Sequence, residues 1–600
     1  MVRTKAALVL FLAGCASTLH DPPAMTQQRE LLMYGELAGY PNATDIVVLT
    51  AAGQYLAAHR EHDGFDRFRE LAARHPERPL FRSLEGVMQA RVAGDIALLD
   101  RVAWVDDAIR KLDDGARRDP LLGRYLRGTV YAALPSRFHK TEIAIADLEA
   151  SRAAVTQLPF AATRGIARAL LRAYREKGDT RRADELTRAT GVTATDPDDL
   201  LADAADTQAA GFRFETPHLE RAAENVYLAE GYDFSTIVFL VDPQGVVVID
   251  AGTTAVNARA ALAALREVTR APIVDVILTH AHWDHVGGLP AMLGPGTTLW
   301  ASGRFPANLD KIKRAHNPFR TSFWGRDPIS LDAPVDRLVT GETALRVGAL
   351  DLVLAPGPSG ETSDALYIFD RGHALLFVGD AFMPYVGAPF VAEGSAAGYL
   401  EAIREVQRYA PSRVIHGHPP LTRYWTVAAM VGLGAAIAEL QQHVLADIGD
   451  ARSLGDALHD NFIPRSLRAQ PAAAMPFGVM RDTFIQRTYR ENAGYWSADG
   501  TGMDELTSTE LSVALDLLAG RSADRFERTV ADLMSRGDAT LALKLVDLGL
   551  LAHPDSAALR TARGAALAML QARFQQVNPF RFIIYTGWSA RDVTPIGPSR

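Results

Sequence analysis

The chain has 600 residues, of which 48% are hydrophobic and 22% charged, ordinary for globular protein and enough for several separate cores. Its formal net charge of -8 is spread along the sequence, and no basic block argues for a nucleic-acid partner. The single cysteine, Cys15, excludes intramolecular disulfides and any cysteine zinc site.

In chain order, residues 1–15 read as an export leader. Arg3 and Lys5 supply positive charge, and Ala6 to Ala13 form an apolar run too short to span a bilayer. The run ends Leu12-Ala13-Gly14-Cys15, which resembles a bacterial lipobox. That resemblance implies cleavage before Cys15, lipidation of Cys15 and tethering without a transmembrane helix. With Ala16 rather than aspartate next, it also implies an exported lipoprotein at the outer membrane, facing the periplasm or the cell surface. Residues 16–42 follow as a tether. From 43 to 205 apolar residues recur at helical spacing, as in Val48, Leu49, Ala52, Tyr55 and Leu56, then Leu84, Val87 and Met88. These pieces resemble tetratricopeptide-type repeats but hold no fixed period, so a generic helical domain reads equally well. Either kind would pack or bind a protein partner rather than catalyse. An Asp- and Ala-rich stretch, 195–210, marks the next boundary.

From 211 to 424 strands alternate with helices, as expected for sheet layers covered by helices. A first strand is predicted to start at Glu224-Asn225-Val226-Tyr227. Two more, Thr236 to Val241 and Gly245 to Ile249, flank the Pro243-Gln244-Gly245 turn, and an amphipathic helix runs from Ala255 to Thr269. A buried strand, Ile273 to Leu278, then leads into Thr279-His280-Ala281-His282-Trp283-Asp284-His285-Val286-Gly287-Gly288. On extended backbone His280, His282 and Asp284 point the same way, and His285 points elsewhere, towards a second centre. Three imidazoles and a carboxylate this close together suit a borderline metal such as zinc. The sequence holds no G-x-S-x-G elbow, phosphate-binding glycine loop or dinucleotide fingerprint.

This H-x-H-x-D-H motif resembles the metallo-β-lactamase superfamily, which implies an αββα sandwich for 211–424. Three further strand ends supply donors. The loop Pro356-Gly357-Pro358-Ser359-Gly360-Glu361-Thr362 has Pro358 where many members carry a histidine. Gly360-Glu361-Thr362 resembles the alkylsulfatase branch, which makes Glu361 the ligand, although another register would put Ser359 there. A buried strand ending Gly379-Asp380 places a carboxylate where it can bridge two cations. A third strand runs into His416-Gly417-His418-Pro419, where the resemblance favours His418, leaving His416 as a competitor or supporting residue. The implied set is His280, His282 and Glu361 on one metal and Asp284, His285 and His418 on the other. Asp380 lies between them, and Asp284 and Asp380 are the catalytic carboxylates. The metals implied are two Zn2+, with iron or manganese as alternatives. By the same analogy Asp250 orients ligand histidines.

The segment between the motif and Glu361 holds Arg314, Asn317, Arg320 and Arg326, whose forks and amide could hold a sulfate or phosphate beside Phe319, Phe323 and Trp324. An ordinary surface loop reads as well. Met383, Pro384 and Tyr385 are candidates for a pocket wall. Residues 425–600 read as helical and resemble the alkylsulfatase dimerisation domain, implying a homodimer. Two features depart from that branch: the N-terminal helical domain, and a shorter segment between Gly288 and Glu361. The expected protein is a multidomain α+β hydrolase with a bridging hydroxide that cleaves a small lipophilic ester, an alkyl sulfate first. Phosphodiester, lactone or thioester hydrolysis and a non-catalytic scaffold lipoprotein are the alternatives.

Overall fold

The computed structural model describes residues 26–160, 162–193, 206–208, 211–314, 331–385, 393–496 and 500–589. Cys15 with its leader, most of the Asp-rich boundary, and Asn317, Arg320 and Arg326 lie outside these residues.

Among the described residues two large sheets face each other at the centre of the chain. One has seven strands in chain order: β3 (His218–Ala223), β4 (Val226–Glu230), β5 (Ile237–Asp242), β6 (Gly245–Ile249), β7 (Ile273–Ile277), β8 (Thr298–Ser302) and β9 (Arg337–Val339). It is antiparallel from β3 to β6 and parallel from β6 to β9. The other has five: β10 (Thr343–Val347), β11 (Leu350–Pro356), β12 (Leu366–Asp370), β13 (Leu375–Phe377) and β14 (Arg413–Ile415). Only β13 and β14 run parallel there. A short hairpin, β1 (Asp206–Gln208) with β2 (Gly211–Arg213), precedes both sheets.

Strand periodicity sorts the apolar residues into layers. Val247 and Ile249 join Leu228, Ile277, Leu354, Ile368 and Phe377 between the sheets. Val246 and Val248, one residue out of phase, pack with Phe239 against Ala258, Leu265 and Leu309 of the covering helices Ala255–Leu265 and Phe305–Arg314. The outer face of the second sheet puts Tyr367, Leu376 and Val414 against Tyr399, Ile403 and Leu433 of the helices Ala396–Tyr409 and Val427–Gly449. The result is the expected αββα sandwich between two helical regions.

Those helical regions meet one another. Gln54 donates to the Arg573 carbonyl at 3.2 Å, and Val48, Phe477 and Met480 share one apolar core. Phe526, Val546, Leu559 and Leu570 form a separate core near the C-terminal end. Among the described residues no helix is long and apolar enough to cross a membrane.

Three expectations need correction. Residues 26–37 are a helix, not a tether, and Met33, Tyr34 and Leu37 are buried in the shared core. The sheet begins before Glu224: β3 reads His-Leu-Glu-Arg-Ala-Ala, an edge strand whose polar content hides it from a search for apolar runs. The helix after Asp250 ends at Leu265 rather than continuing to Thr269.

Leu354 is fully buried between the sheets. Leu354→Ala should therefore cost about 2–5 kcal/mol through lost burial and a residual cavity, measured by chemical denaturation of the sandwich.

Candidate metal centre

The predicted donors come from the ends of β7, β11, β13 and β14, which open onto one rim. Beyond Ile277 the chain leaves the sheet, stays extended at His282, and turns there into a short helix, Trp283–Val286. That turn corrects the reading of a continuous strand. His280 and His282 stay together, while Asp284 swings round to the side of His285. Donor atoms of His280, His282 and Glu361 lie within 4.8 Å of one another, as do those of Asp284, His285, Asp380 and His418. Asp380 sits between the groups: its Oδ2 is 3.0 Å from His418 Nε2, 3.3 Å from His285 Nε2 and 3.9 Å from His280 Nε2. All seven side chains are buried.

Each imidazole is held from behind by an oxygen. Thr279 Oγ1 lies 3.0 Å from His280 Nδ1, and Asp250 Oδ2 lies 2.8 Å from His285 Nδ1. The Phe234 carbonyl lies 2.9 Å from His418 Nδ1, and Glu393 Oε1 lies 2.6 Å from His282 Nε2. A carbonyl or ionised carboxylate only accepts, so the His418, His285 and His282 nitrogens facing these oxygens carry the protons. The opposite nitrogen is then the one that would offer its lone pair to a cation, as metal-ligating histidines are arranged. Asp250 also accepts from Thr279 N at 2.8 Å and Thr279 Oγ1 at 2.7 Å, tying the end of β6 to the start of the motif. Gly417 separates His416 from His418 because a Cβ there would run into Asp380 and the His285 ring.

Three polar atoms meet unpaired at the centre of the site. His280 Nε2, Glu361 Oε2 and Asp380 Oδ1 are buried with no hydrogen-bond partner. Glu361 Oε2 lies 3.6 Å from His280 Nε2, and Glu361 Oε1 lies 3.4 Å from His282 Nδ1. Buried polar atoms are rarely left this way without a role. Four carboxylates, Asp284, Glu361, Asp380 and Glu393, crowd the same volume. Burial drives the Glu361 carboxyl up to about 7, only partly offset by His282. Burial would also raise Asp380, but the charges of His418 and His285 hold it well below the ordinary range. Burial opposes charge on His418 too, yet Asp380 and Asp284 draw its pKa up to about 10. Without metal the cluster thus collects protons on His282, His285 and His418, while burial and the neighbouring histidines hold His280 well below its ordinary value; two divalent cations at the two groups fit the same donors and satisfy the stranded atoms.

The remaining candidates fall outside this cluster. His416 points away, with Nε2 3.0 Å from the Trp425 carbonyl and Nδ1 unpartnered. Ser359 shapes the loop: its Oγ accepts from Glu361 N and Thr362 N, both at 3.1 Å, so the donor turned to the histidines is Glu361. Arg314 is exposed at a helix end and donates to its own helix at Asp310 O. Met383 is buried in the large core, and Tyr385 packs on Phe580 with ring centroids 5.8 Å apart.

Two features were not read from the sequence. Glu393 is a lone carboxylate 13 positions after Asp380, with no spacing to mark it. The other is an aromatic wall from distant parts of the chain. Phe234 lies 4.5 Å from the His418 ring and stacks on Trp283 at 6.0 Å, while Phe214 and Phe580 meet His418 edge-on at 6.0 and 5.9 Å.

Comparison with known proteins agrees with this architecture. Residues 231–418 match the family model described as metallo-beta-lactamase superfamily. Among solved structures, the stereoselective inverting sec-alkylsulfatase Pisa1 from Pseudomonas sp. is similar at 17% identity and TM-score 0.51, over 63% of this chain and 66% of that one. A double mutant of the sec-alkyl sulfatase PisA1 is similar at 17% identity and TM-score 0.52, over 62% and 65%. The chain thus spans just under two thirds of these relatives' length, and at this identity the likeness is one of fold. No curated protein matches by sequence.

Burial holds His416 down to about 4, below its ordinary value of about 6.5. Its contribution to stability is therefore fully present above about 6.5 and lost as pH falls towards about 4. His416→Gln should flatten the decline in unfolding free energy between pH 6.5 and 4 relative to wild type, measured by denaturant titration. An identical slope would contradict this.

Proposed function

We propose, from the premise that residues 231–418 form a metallo-beta-lactamase superfamily domain, that the protein is a dinuclear metal-dependent hydrolase of a lipophilic ester, an alkyl sulfate first. The observation that carries the metal centre is the trio of stranded atoms, His280 Nε2, Glu361 Oε2 and Asp380 Oδ1, at the meeting point of two donor groups. His280 through Nε2, His282 through Nδ1 and Glu361 would hold one cation. Asp284, His285 through Nε2 and His418 through Nε2 would hold the other, with Asp380 shared. Nitrogen and carboxylate donors of this kind suit zinc, with iron or manganese as alternatives. When bound, such a pair lowers the pKa of a shared water and neutralises the oxygens of an ester under attack.

The chain's own residues supply the rest. Asp250, Glu393 and the Phe234 carbonyl fix which nitrogen of each imidazole faces inward. Asp284 and Asp380, both turned to the His285 and His418 nitrogens, are the carboxylates that would hold an attacking water between the two groups. Phe234, Trp283, Phe214 and Phe580 keep bulk water from His418 and give that side of the centre an apolar lining. Such a lining suits an alkyl or aryl group beside a charged reacting centre. The sulfatase reading draws on that lining, on glutamate rather than histidine in the Glu361 loop, and on the fold likeness to sec-alkylsulfatases. Arg314, Asn317, Arg320 and Arg326 remain sequence candidates for the sulfate. We also read the Cys15 box as a membrane tether, the N-terminal helices as a protein-binding surface, and the C-terminal helices as a homodimer contact.

Metal-free protein should release no sulfate from a medium-chain alkyl sulfate, and reloading with zinc should restore release. Asp380→Asn should lower kcat/KM by at least about 100-fold, since a direct donor matters at least as much as an outer partner. Zinc-loaded protein that cleaves phosphodiesters or carboxylic esters but no alkyl sulfate would transfer the reading to that ester class.

A further inference from the structure

The geometry points to Glu393 as a positioning residue that sets the affinity of one metal site only, the one built from His280, His282 and Glu361. The inference rests on the dinuclear reading above. Glu393 has a fully buried side chain and one strong partner, His282 Nε2 at 2.6 Å. An ionised carboxylate cannot donate, so the proton lies on Nε2 and the lone pair of Nδ1 is directed to the Glu361 side. The adjacent negative charge also makes that imidazole a better donor to a cation.

A second contact reaches the loop that carries another ligand of the same site, Glu361. Glu393 Oε2 lies 3.3 Å from Thr362 Oγ1, next in chain to Glu361. Asn308 braces the same corner by donating to Thr362 Oγ1 at 3.1 Å and to Asp364 Oδ1 at 2.7 Å. Glu393 therefore touches His282 and the loop carrying Glu361, while His285 and His418 are held by Asp250 and by the Phe234 carbonyl.

The position of Glu393 is imposed from outside the sandwich. Gly394 has φ +63, and a Cβ there would strike the backbone of Gly360 and Glu361, so the two loops can close on each other only with glycine. Arg487, on the C-terminal-region helix Ala474–Asn492, donates to the Gly394 carbonyl, and Glu491 of that helix accepts from Ala396 N at 3.4 Å. A helix outside the matched domain thus holds the loop that holds His282. A buried carboxylate is costly unless its charge is answered, and here His282 answers it first, with the Asn308 amide and the Lys311 charge adding to it.

The test compares the full-length wild type with Glu393→Ala and Glu393→Gln, each stripped of metal and titrated with Zn2+ against a chromophoric chelator. Co2+ loading reports ligand geometry by visible absorption, and thermal unfolding of the metal-free proteins reports the fold. The account expects wild type to bind two ions. Glu393→Ala should bind one of them about 10–100-fold more weakly with the other unchanged, and its Co2+ spectrum should change. Glu393→Gln, whose amide oxygen can still accept from Nε2, should recover part of the loss. If Glu393→Ala does not fold, Glu393→Gln decides, and it too must weaken one ion only. Two ions held as in wild type, or both weakened equally, would overturn the inference. A wild type that binds no ion would instead overturn the dinuclear reading itself.

Discussion

Everything at the rim depends on an electrostatic constraint: five carboxylates, Asp250, Asp284, Glu361, Asp380 and Glu393, and four imidazoles share a buried volume. Such a cluster is stable only when every charge faces an opposite one. The fold meets half of that demand itself, by placing an oxygen behind each imidazole. The other half, at His280 Nε2, Glu361 Oε2 and Asp380 Oδ1, is left open on the inward side. That asymmetry separates the arrangement from an ordinary buried ion-pair network, in which partners close on one another.

The sandwich exists to bring strand ends to one rim. Parallel pairing of β6, β7 and β8 puts Asp250 and the histidine motif at neighbouring ends, and the parallel β13–β14 pair does the same for Asp380 and His418. The last link between sheets is direct, with Leu366 N donating to the Thr279 carbonyl at 2.8 Å. Outside the sheets, Phe580 and Arg487 from the C-terminal helices reach the same rim, one against His418 and one behind Glu393. The flanking helices thus help to build the site they surround.

Much of this was legible in the sequence because the donors lie in short motifs at the ends of apolar runs. His280 to His285, Asp380 and His418 each follow a continuous buried strand, and a strand end fixes where the next residues go. The same logic failed where backbone direction changes within a motif: the turn at His282 sends Asp284 to the other group, which spacing on an extended chain cannot show. Glu393 was invisible for a different reason. Its importance comes from contacts with Thr362, 31 residues away, and with His282, 111 residues away, and no local pattern encodes those. The edge strand β3 was missed because its outward residues are polar, and residues 26–37 because a short helix with a polar first turn and its apolar residues bunched at Leu31 to Tyr34 resembles a linker until it meets the core.

The most direct test of the central claim is anomalous diffraction from crystals of the protein as purified, collected on both sides of the zinc absorption edge. Two peaks are predicted, one among His280, His282 and Glu361 and one among Asp284, His285 and His418, with Asp380 between them. Strong data with no peak at either group, or with a single peak elsewhere, would contradict the dinuclear account.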